Sequence, residues 1–373
     1  MSFLNRSAHA PVLWRGLDRT LAFTVLMLIA VGLTLSLAAS PPATERLAIS
    51  EPFYFLYRHG FFAAVAIAIL AFTSALSVRG ARRMAGLALA GSMLVMAALP
   101  FIGHEVNGSA RWLRLGSMSL QPSEFFKPAF IVVLAWLFSE ESRGAPAPGR
   151  LIGLGIYLLG VGLLIIQPDF GQTVLVTLLF GGLLFAAGLP WLYTIGLGAA
   201  ALGGGALAFF ALPHVRDRIL DFVGPGGDRM QTETALDAIS RGGLMGVGPG
   251  EGEVKRLLPE AHTDFVFAVA AEEFGLLASL AIIGLYVILF LRAWSSVMRL
   301  TDHFAQLATA GLAMLFALQA LINIGVNLSL IPPKGMTLPF VSYGGSSMLA
   351  LAFAAGLMLA LTRRRPGAFR REA

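Results

Sequence analysis

The chain has 373 residues, of which 57% are hydrophobic and only 13% charged, and its mean hydropathy is +0.77. Soluble domains carry about 25% charged residues, so too few charges are present to cover a water-facing surface, and the sequence reads as a membrane protein. The lack of cysteine excludes disulfides, thiolate metal sites and cysteine nucleophiles. The net charge of +6 does not point to nucleic acid, because Lys and Arg fall mostly between apolar runs.

A transmembrane helix needs about 20 predominantly apolar residues, and runs of that size recur along the chain. The first three cover residues 21–39, 60–78 and 84–103. Residues 128–138 form a shorter run that reaches span length only if Glu124 and Lys127 enter its first turns. Residues 151–168 follow, and then 170–215, too long for one span and divisible at Gly188-Leu189-Pro190. Residues 274–291, 304–328 and about 341–362 complete the set. The expectation is an all-α polytopic membrane protein of about ten transmembrane helices, a single membrane domain over 1–373 with no cleavable signal segment.

Basic residues in short loops mark the cytoplasmic face. With the N-terminus inside, the cytoplasmic loops and tails hold 15 basic and 5 acidic residues. Both termini are then cytoplasmic, with tails at 1–20 and 363–373. The outer loops fall at about 104–124 and, between spans 7 and 8, at about 214–264. Those two loops carry more polar residues than connectors need, which points to function.

In the first outer loop, Pro122, Ser123 and Glu124 suit a helix start, with the acid placed where the dipole favours it. Trp112 and Lys127 then read as interfacial and snorkelling residues. Equally, Arg111, Arg114 and Lys127 could form an anion site. Asp169 ends the fifth span and suits a helix cap. The series Gly246, Gly248, Gly250 and Gly252 follows no strand and lacks the Lys-Ser/Thr of a phosphate-binding loop, so nucleotide binding is not expected. A helix starting near Asp264 would carry Glu272 about 12 Å further in. Carboxylates there need a polar cavity or a partner, and Asp264 itself would stand at the cavity mouth or cap the helix. Asn323 and Asn327 share one helix face. Gly344 and Gly345 suit close helix packing, whereas Lys334 could touch an anion. Neither paired metal ligands nor a serine nucleophile elbow is evident.

Four segments, NGSARWLRLGSMSLQPSEFFK (107–127), QPDFGQ (167–172), KRLLPEAHTDFVFAVAAEEFG (255–275) and NIGVNLSLIPPKGMTLPFVSYGGSS (323–347), together resemble the SEDS family (shape, elongation, division and sporulation), in its FtsW-like form more than its RodA-like form. The resemblance runs from about the first span to the last. It implies a peptidoglycan glycosyltransferase of the bacterial inner membrane that polymerises lipid II on the outer face during septal wall synthesis. A class B penicillin-binding transpeptidase and other divisome membrane proteins are its implied partners.

Matched to the family motifs, Asp264 is the implied general base for the acceptor 4-hydroxyl, with inversion at the donor anomeric carbon. Arg111 and Lys127, with Lys334 in addition, would stabilise the departing pyrophosphate. Trp112, Gln121, Glu124, Asp169 and His262 carry over as cavity residues, and Glu272, Glu273, Asn323 and Ser342 as intramembrane polar support. No cofactor is required by the sequence, although a divalent cation, Mg or Mn, could be held by Asp264 or Asp169. A lipid flippase, an elongation-type polymerase and a non-enzymatic division scaffold are the alternatives. The concentration of polar motifs on one face favours chemistry over transport.

Overall fold

The structure, a computed structural model, describes residues 16–106, 109–116, 118–211, 216, 220, 230–333 and 335–364. Helices stand at each of the ten places where the hydropathy pattern puts a span: α1 (Arg19–Arg46), α2 (Tyr54–Ser74), α3 (Val78–Ile102), α4 (Pro122–Ser142), α5 (Gly149–Ile166), α6 (Phe170–Ala186), α7 (Trp191–Ala211), α9 (Val266–Arg299), α10 (His303–Asn327) and α11 (Gly345–Leu361). Among the described residues, seven of these helices are long and apolar enough to cross a membrane, while α6 and α11 are shorter apolar helices. The split between α6 and α7 falls at Gly188, whose φ of 83° breaks the helix as the Gly-Leu-Pro turn predicts.

Two features depart from a purely helical expectation. Strands β1 (His104–Val106), β2 (Ser109–Leu115) and β3 (Met118–Leu120) form a small antiparallel sheet in the first outer loop, with Arg114 opposite Ser119 and Leu113 opposite Leu120. The second outer loop is not structureless either. It contains α8 (Met230–Gly242), which buries Thr232, Ala235, Ala238 and Gly242 against α9, and a single 3-10 turn at Val254–Arg256.

Helix α4 is the least hydropathic of the spans yet the most buried, packed against α3, α5, α6, α10 and α11. Its polar first turns are tolerable because protein, not lipid, surrounds them. Close approach depends on glycine at several crossings. A methyl on Gly345 would stand 2.6 Å from Phe62 Cζ, and one on Gly356 would stand 2.8 Å from Thr73 Cβ, so both ends of the α2–α11 contact lack room for a side chain. Gly356→Val is therefore expected to destabilise by about 1–3 kcal/mol, the usual cost of overpacking. A thermal melt in detergent checks it, and an unchanged midpoint would show that the helices can part at no cost.

The two ends of the bundle differ chemically. At one end, Arg292 pairs with Asp18 (2.8 Å), Arg143 with Asp302 (2.5 Å), Arg82 with Glu140 (3.5 Å) and Arg150 with Glu141 (3.7 Å). The chain's two ends meet there too, since Arg364 N–H donates to Gly16 O at 2.8 Å. The opposite end carries the sheet, α8, and the turns holding Asp169 and Asp264.

Candidate functional site

The site is built along one face of α10. Gln319, Asn323 and Asn327 follow one another at i, i+4 and i+8, each at most 1% exposed, and make a polar stripe about 12 Å long. At its inner end Gln319 Oε1 accepts from Lys127 Nζ (3.4 Å), while its amide donates to Thr337 O (3.1 Å). In the middle, Asn323 donates to Met336 O (2.7 Å) and Asp264 O (2.9 Å). At the outer end Asn327 donates to Asp264 O (3.0 Å) and accepts from Ala268 N (3.0 Å), filling one of the open donors of the α9 terminus. The stripe thus joins Lys127 and Asp264 and holds the backbone of Met336 and Thr337 between them. Asn323 belongs to the expected support set, whereas Gln319 does not, and its i−4 spacing from Asn323 was the signal for it.

Asp264 is not a helix cap. The residue preceding α9 is Phe265, and no side chain caps that helix. The Asp264 backbone is fixed by the two asparagines, while among the described residues no hydrogen bond or ion pair takes up its carboxylate. Gly335 (φ 65°) runs close beside it: a methyl there would stand 3.8 Å from Oδ2. The carboxyl is pushed up to about 7, first by burial and then by neighbouring Glu260. Such a group is divided between its two protonation states near neutrality, as a general base requires.

Next to it the His262 ring packs on Phe55 at 4.1 Å between centroids with a 35° tilt and lies 5.6 Å from Tyr343, and burial pushes its imidazole down. Its backbone carbonyl accepts from Tyr343 N at 2.9 Å, and Ser342 Oγ accepts from Leu338 N at 2.8 Å. The His262 carbonyl therefore ties the loop after α10 to the Asp264 turn, while Ser342 closes a turn within that loop.

A second cluster gathers around Asp169. Its carboxylate caps α6 through Gln172 N and accepts from Gln121 Nε2 at 3.3 Å, so the expected cap holds. Burial raises its carboxyl, with Arg111 opposing. Strand β2 sets Arg111, whose guanidinium donates to Gln167 O at 3.0 Å and also to Pro168 O, leaving further N–H groups uncommitted to these two acceptors. Trp112 follows it, half-buried. Ser346 Oγ accepts from Gln121 N and donates to Ser119 O, both at 3.0 Å, which fastens the sheet to α11.

Lys127 does not snorkel. It is 1% exposed and donates to Glu124 Oε1 at 3.0 Å, where Gln172 Nε2 also donates at 2.7 Å. The packing of α4 among five other helices closes the path to the surface. Glu124 Oε2 and Gln172 Oε1 are buried acceptors without a hydrogen-bond partner. Lys334 lies outside the described residues.

Glu272 and Glu273 occupy the α9 kink. Gly275 has φ 77°, which divides α9 into an outer segment ending near Phe274 and a long inner one. Backbone groups freed there are met by the glycine loop: Val247 N donates to Glu272 O (2.9 Å), Gly248 N to Glu273 O (3.1 Å) and Leu276 N to Gly243 O (2.9 Å). Gly246, Gly248 and Gly250 all have positive φ, so the glycine series serves this docking. The carboxylate of Glu272 accepts from Val254 N (2.8 Å) and Lys255 N (2.9 Å), and Glu273 pairs with the Lys255 ammonium.

Among the described residues no three His, Asp or Glu side chains come together as a metal cage. Asp264 and Asp169 would each bring a carboxylate, a ligand type that suits a hard cation such as Mg.

Fold and site together define a multi-pass helical membrane protein whose polar chemistry is gathered at one end of its bundle. The model of the FtsW/RodA/SpoVE family, described as cell cycle protein, matches residues 19–366. A relative from Caulobacter vibrioides, named probable peptidoglycan glycosyltransferase FtsW, is 48% identical over 357 residues, 95% of this chain and 92% of its own. One of the same name from Alcanivorax borkumensis is 38% identical over 359 residues, 92% of each. Among solved structures, a chain described under the structural coordination of polymerization and crosslinking by a peptidoglycan synthase complex superposes with a TM-score of 0.77 at 28% identity, covering 94% of this chain and 98% of that one. The rod shape determining protein RodA of Thermus thermophilus superposes with a TM-score of 0.70 at 28% identity, covering 94% and 97%. The chain belongs to the FtsW/RodA/SpoVE family and is FtsW-like within it.

Proposed function

We propose that this chain is a peptidoglycan glycosyltransferase that polymerises lipid II on the outer face of the bacterial inner membrane, at the division septum, beside a class B penicillin-binding transpeptidase. The single observation carrying this reading is the Asp264 carboxylate, half-buried, unpaired among the described residues and held by its backbone at the end of the α10 polar stripe. Its carboxylate form removes the proton from the acceptor 4-hydroxyl, and that oxygen attacks the donor anomeric carbon. The bond to the lipid pyrophosphate breaks with inversion, and the leaving group carries away the electron pair. Arg111 donates charge-assisted hydrogen bonds to the pyrophosphate. Lys127, already engaged by Glu124 and Gln319, adds positive potential from behind. Lys334 keeps its expected supporting role on the anion. A Mg or Mn ion, when bound, would neutralise pyrophosphate charge.

Purified chain with its cognate transpeptidase and labelled lipid II is expected to give glycan ladders on a gel. No ladders, under conditions where a known polymerase extends the same lipid, would replace this reading with a flippase or a scaffold. Arg111→Ala is expected to lower the rate about tenfold or more, the worth of one or two charge-assisted bonds. An unchanged rate would remove Arg111 from the leaving-group site.

A further inference from the structure

Gln167 enters the site through its backbone carbonyl, which accepts from Arg111, yet its side chain has a separate partner inside the bundle. The amide Nε2 donates to Met96 O at 2.8 Å, with Gln167 3% and Met96 0% exposed. Met96 O is open to a side chain for a local reason. Four residues further along α3, where an N–H would close the helical bond, stands Pro100, which has no N–H and whose ring pushes on that carbonyl. An apolar span offers a freed carbonyl no water. The Gln167 amide therefore takes the place of the missing backbone donor.

This bond closes a ring through Arg111. Helix α3 ends at Ile102 and passes through Gly103 into β1, and β2 returns with Arg111. The guanidinium donates to Gln167 O (3.0 Å) and to Pro168 O, carbonyls of the turn that ends α5, so it also sits at the negative end of that helix. Gln167 thus joins both arms of the ring. Its carbonyl holds the arginine, and its amide holds α3 about 9 Å before that helix gives way to the sheet. Because the guanidinium is a planar, rigid fork, two fixed N–H groups set the direction of the other three.

We propose that the Gln167 side chain is a positioning residue for Arg111, an inference that rests on the polymerase reading. By replacing the α3 bond that Pro100 removes, it sets the spacing between α3 and the end of α5, and with it the plane in which Arg111 presents its remaining N–H groups to the departing pyrophosphate. Gln167 touches no reacting atom. Charge on the leaving oxygen grows as its bond to the anomeric carbon breaks, so a turned guanidinium costs more in the transition state than in bound substrate.

Gln167→Leu keeps the bulk of the side chain and removes the donor. In lipid II polymerisation its kcat should fall about threefold to tenfold with KM held within about twofold. Placed on Arg111→Ala, the same substitution should cost less than about twofold, because the group it positions is gone. Pro100→Ala separates positioning from the satisfaction of a buried carbonyl: the alanine N–H returns the helical bond to Met96 O. Pro100→Ala with Gln167→Leu should therefore melt like Pro100→Ala alone and still show the kcat loss. An undiminished loss on Arg111→Ala, or recovery of kcat together with the midpoint, would overturn the proposal. Affinity for undecaprenyl pyrophosphate, measured without turnover, supplies an independent arm. It should weaken to similar extents in Gln167→Leu and Arg111→Ala and no further in the double variant, whereas additive losses would count against a role through Arg111. That non-additive pattern in a wild-type chain that forms no glycan would keep the Gln167 role and remove the polymerase reading.

Discussion

Asp264→Asn is expected to reduce glycan polymerisation by at least about 100-fold, the usual contribution of a positioned general base, without lowering thermal stability. The two halves of that expectation come from the same geometry. Asparagine keeps the shape and leaves the backbone carbonyl for Asn323 and Asn327, but it cannot accept a proton from the acceptor hydroxyl. In wild type the carboxyl is held at about 7, well above its ordinary 3.8, by burial and by Glu260. A folded-state value above the unfolded one means that the fold favours the protonated form. The associated stability is present below about 4 and is lost as pH rises through about 7. At pH 8 the wild-type protein therefore holds a poorly solvated anion that the variant lacks, so the asparagine form should melt no lower at pH 5 and higher at pH 8. Wild-type activity runs the opposite way, rising with pH through about 7 as the base form appears. Gel ladders and melts across pH 5–8 measure both. Chains from the variant at the wild-type level would remove Asp264 as base, and a lower midpoint would trace the loss to unfolding.

Much of this arrangement was legible in the sequence because a bilayer restricts what a chain can do. Apolar length places every span but α4, and even the α6–α7 division follows from one Gly-Leu-Pro turn. What stayed hidden depends on partners distant in sequence. The α4 run looked too short to span: the pairing of Lys127 with Glu124 three residues away is local, but Gln172 of α6 and Gln319 of α10, which complete the buried cluster, are not. The sheet carried a local signal: Asn107-Gly108 stands between segments of alternating polarity, the pattern of a tight hairpin. Asn323 and Asn327 were visible as one face, and extending their period one turn back reaches Gln319, the residue that joins them to Lys127. The α9 break at Gly275 could not be read locally, because a glycine inside an apolar run is tolerated in membrane helices and only the loop at 242–248 supplies its replacement bonds. That loop also changes the meaning of Glu272 and Glu273. From sequence they are acids in an apolar stretch awaiting a cavity, whereas in the fold they fasten the outer loop.

Lys255→Met is expected to destabilise the protein by about 3–5 kcal/mol, the cost of removing one partner of a buried ion pair. Lys255 is 3% exposed and Glu273 1%, and the ammonium also donates to Ala38 O at 3.2 Å. Methionine fills the same volume with no charge, which leaves the Glu273 carboxylate to face apolar surroundings or to take up a proton. Replacing both partners, Lys255→Met with Glu273→Leu, removes the orphaned charge and is expected to recover most of the loss. The paired design separates charge from packing, since poor accommodation of the new side chains would make the double variant worse than either single one. Activity should follow stability in the single variant, because the same segment leads from Lys255 through the Glu260 turn to Asp264, and Glu272 holds it at Val254 N and Lys255 N. A thermal or denaturant melt of the four members of the cycle decides the matter. A wild-type midpoint for Lys255→Met would mean that the backbone bonds to Glu272 and the glycine-loop ladder hold the outer loop unaided. A midpoint recovered only in the double variant would place the latch in the ion pair and couple the α9 kink to the position of the base.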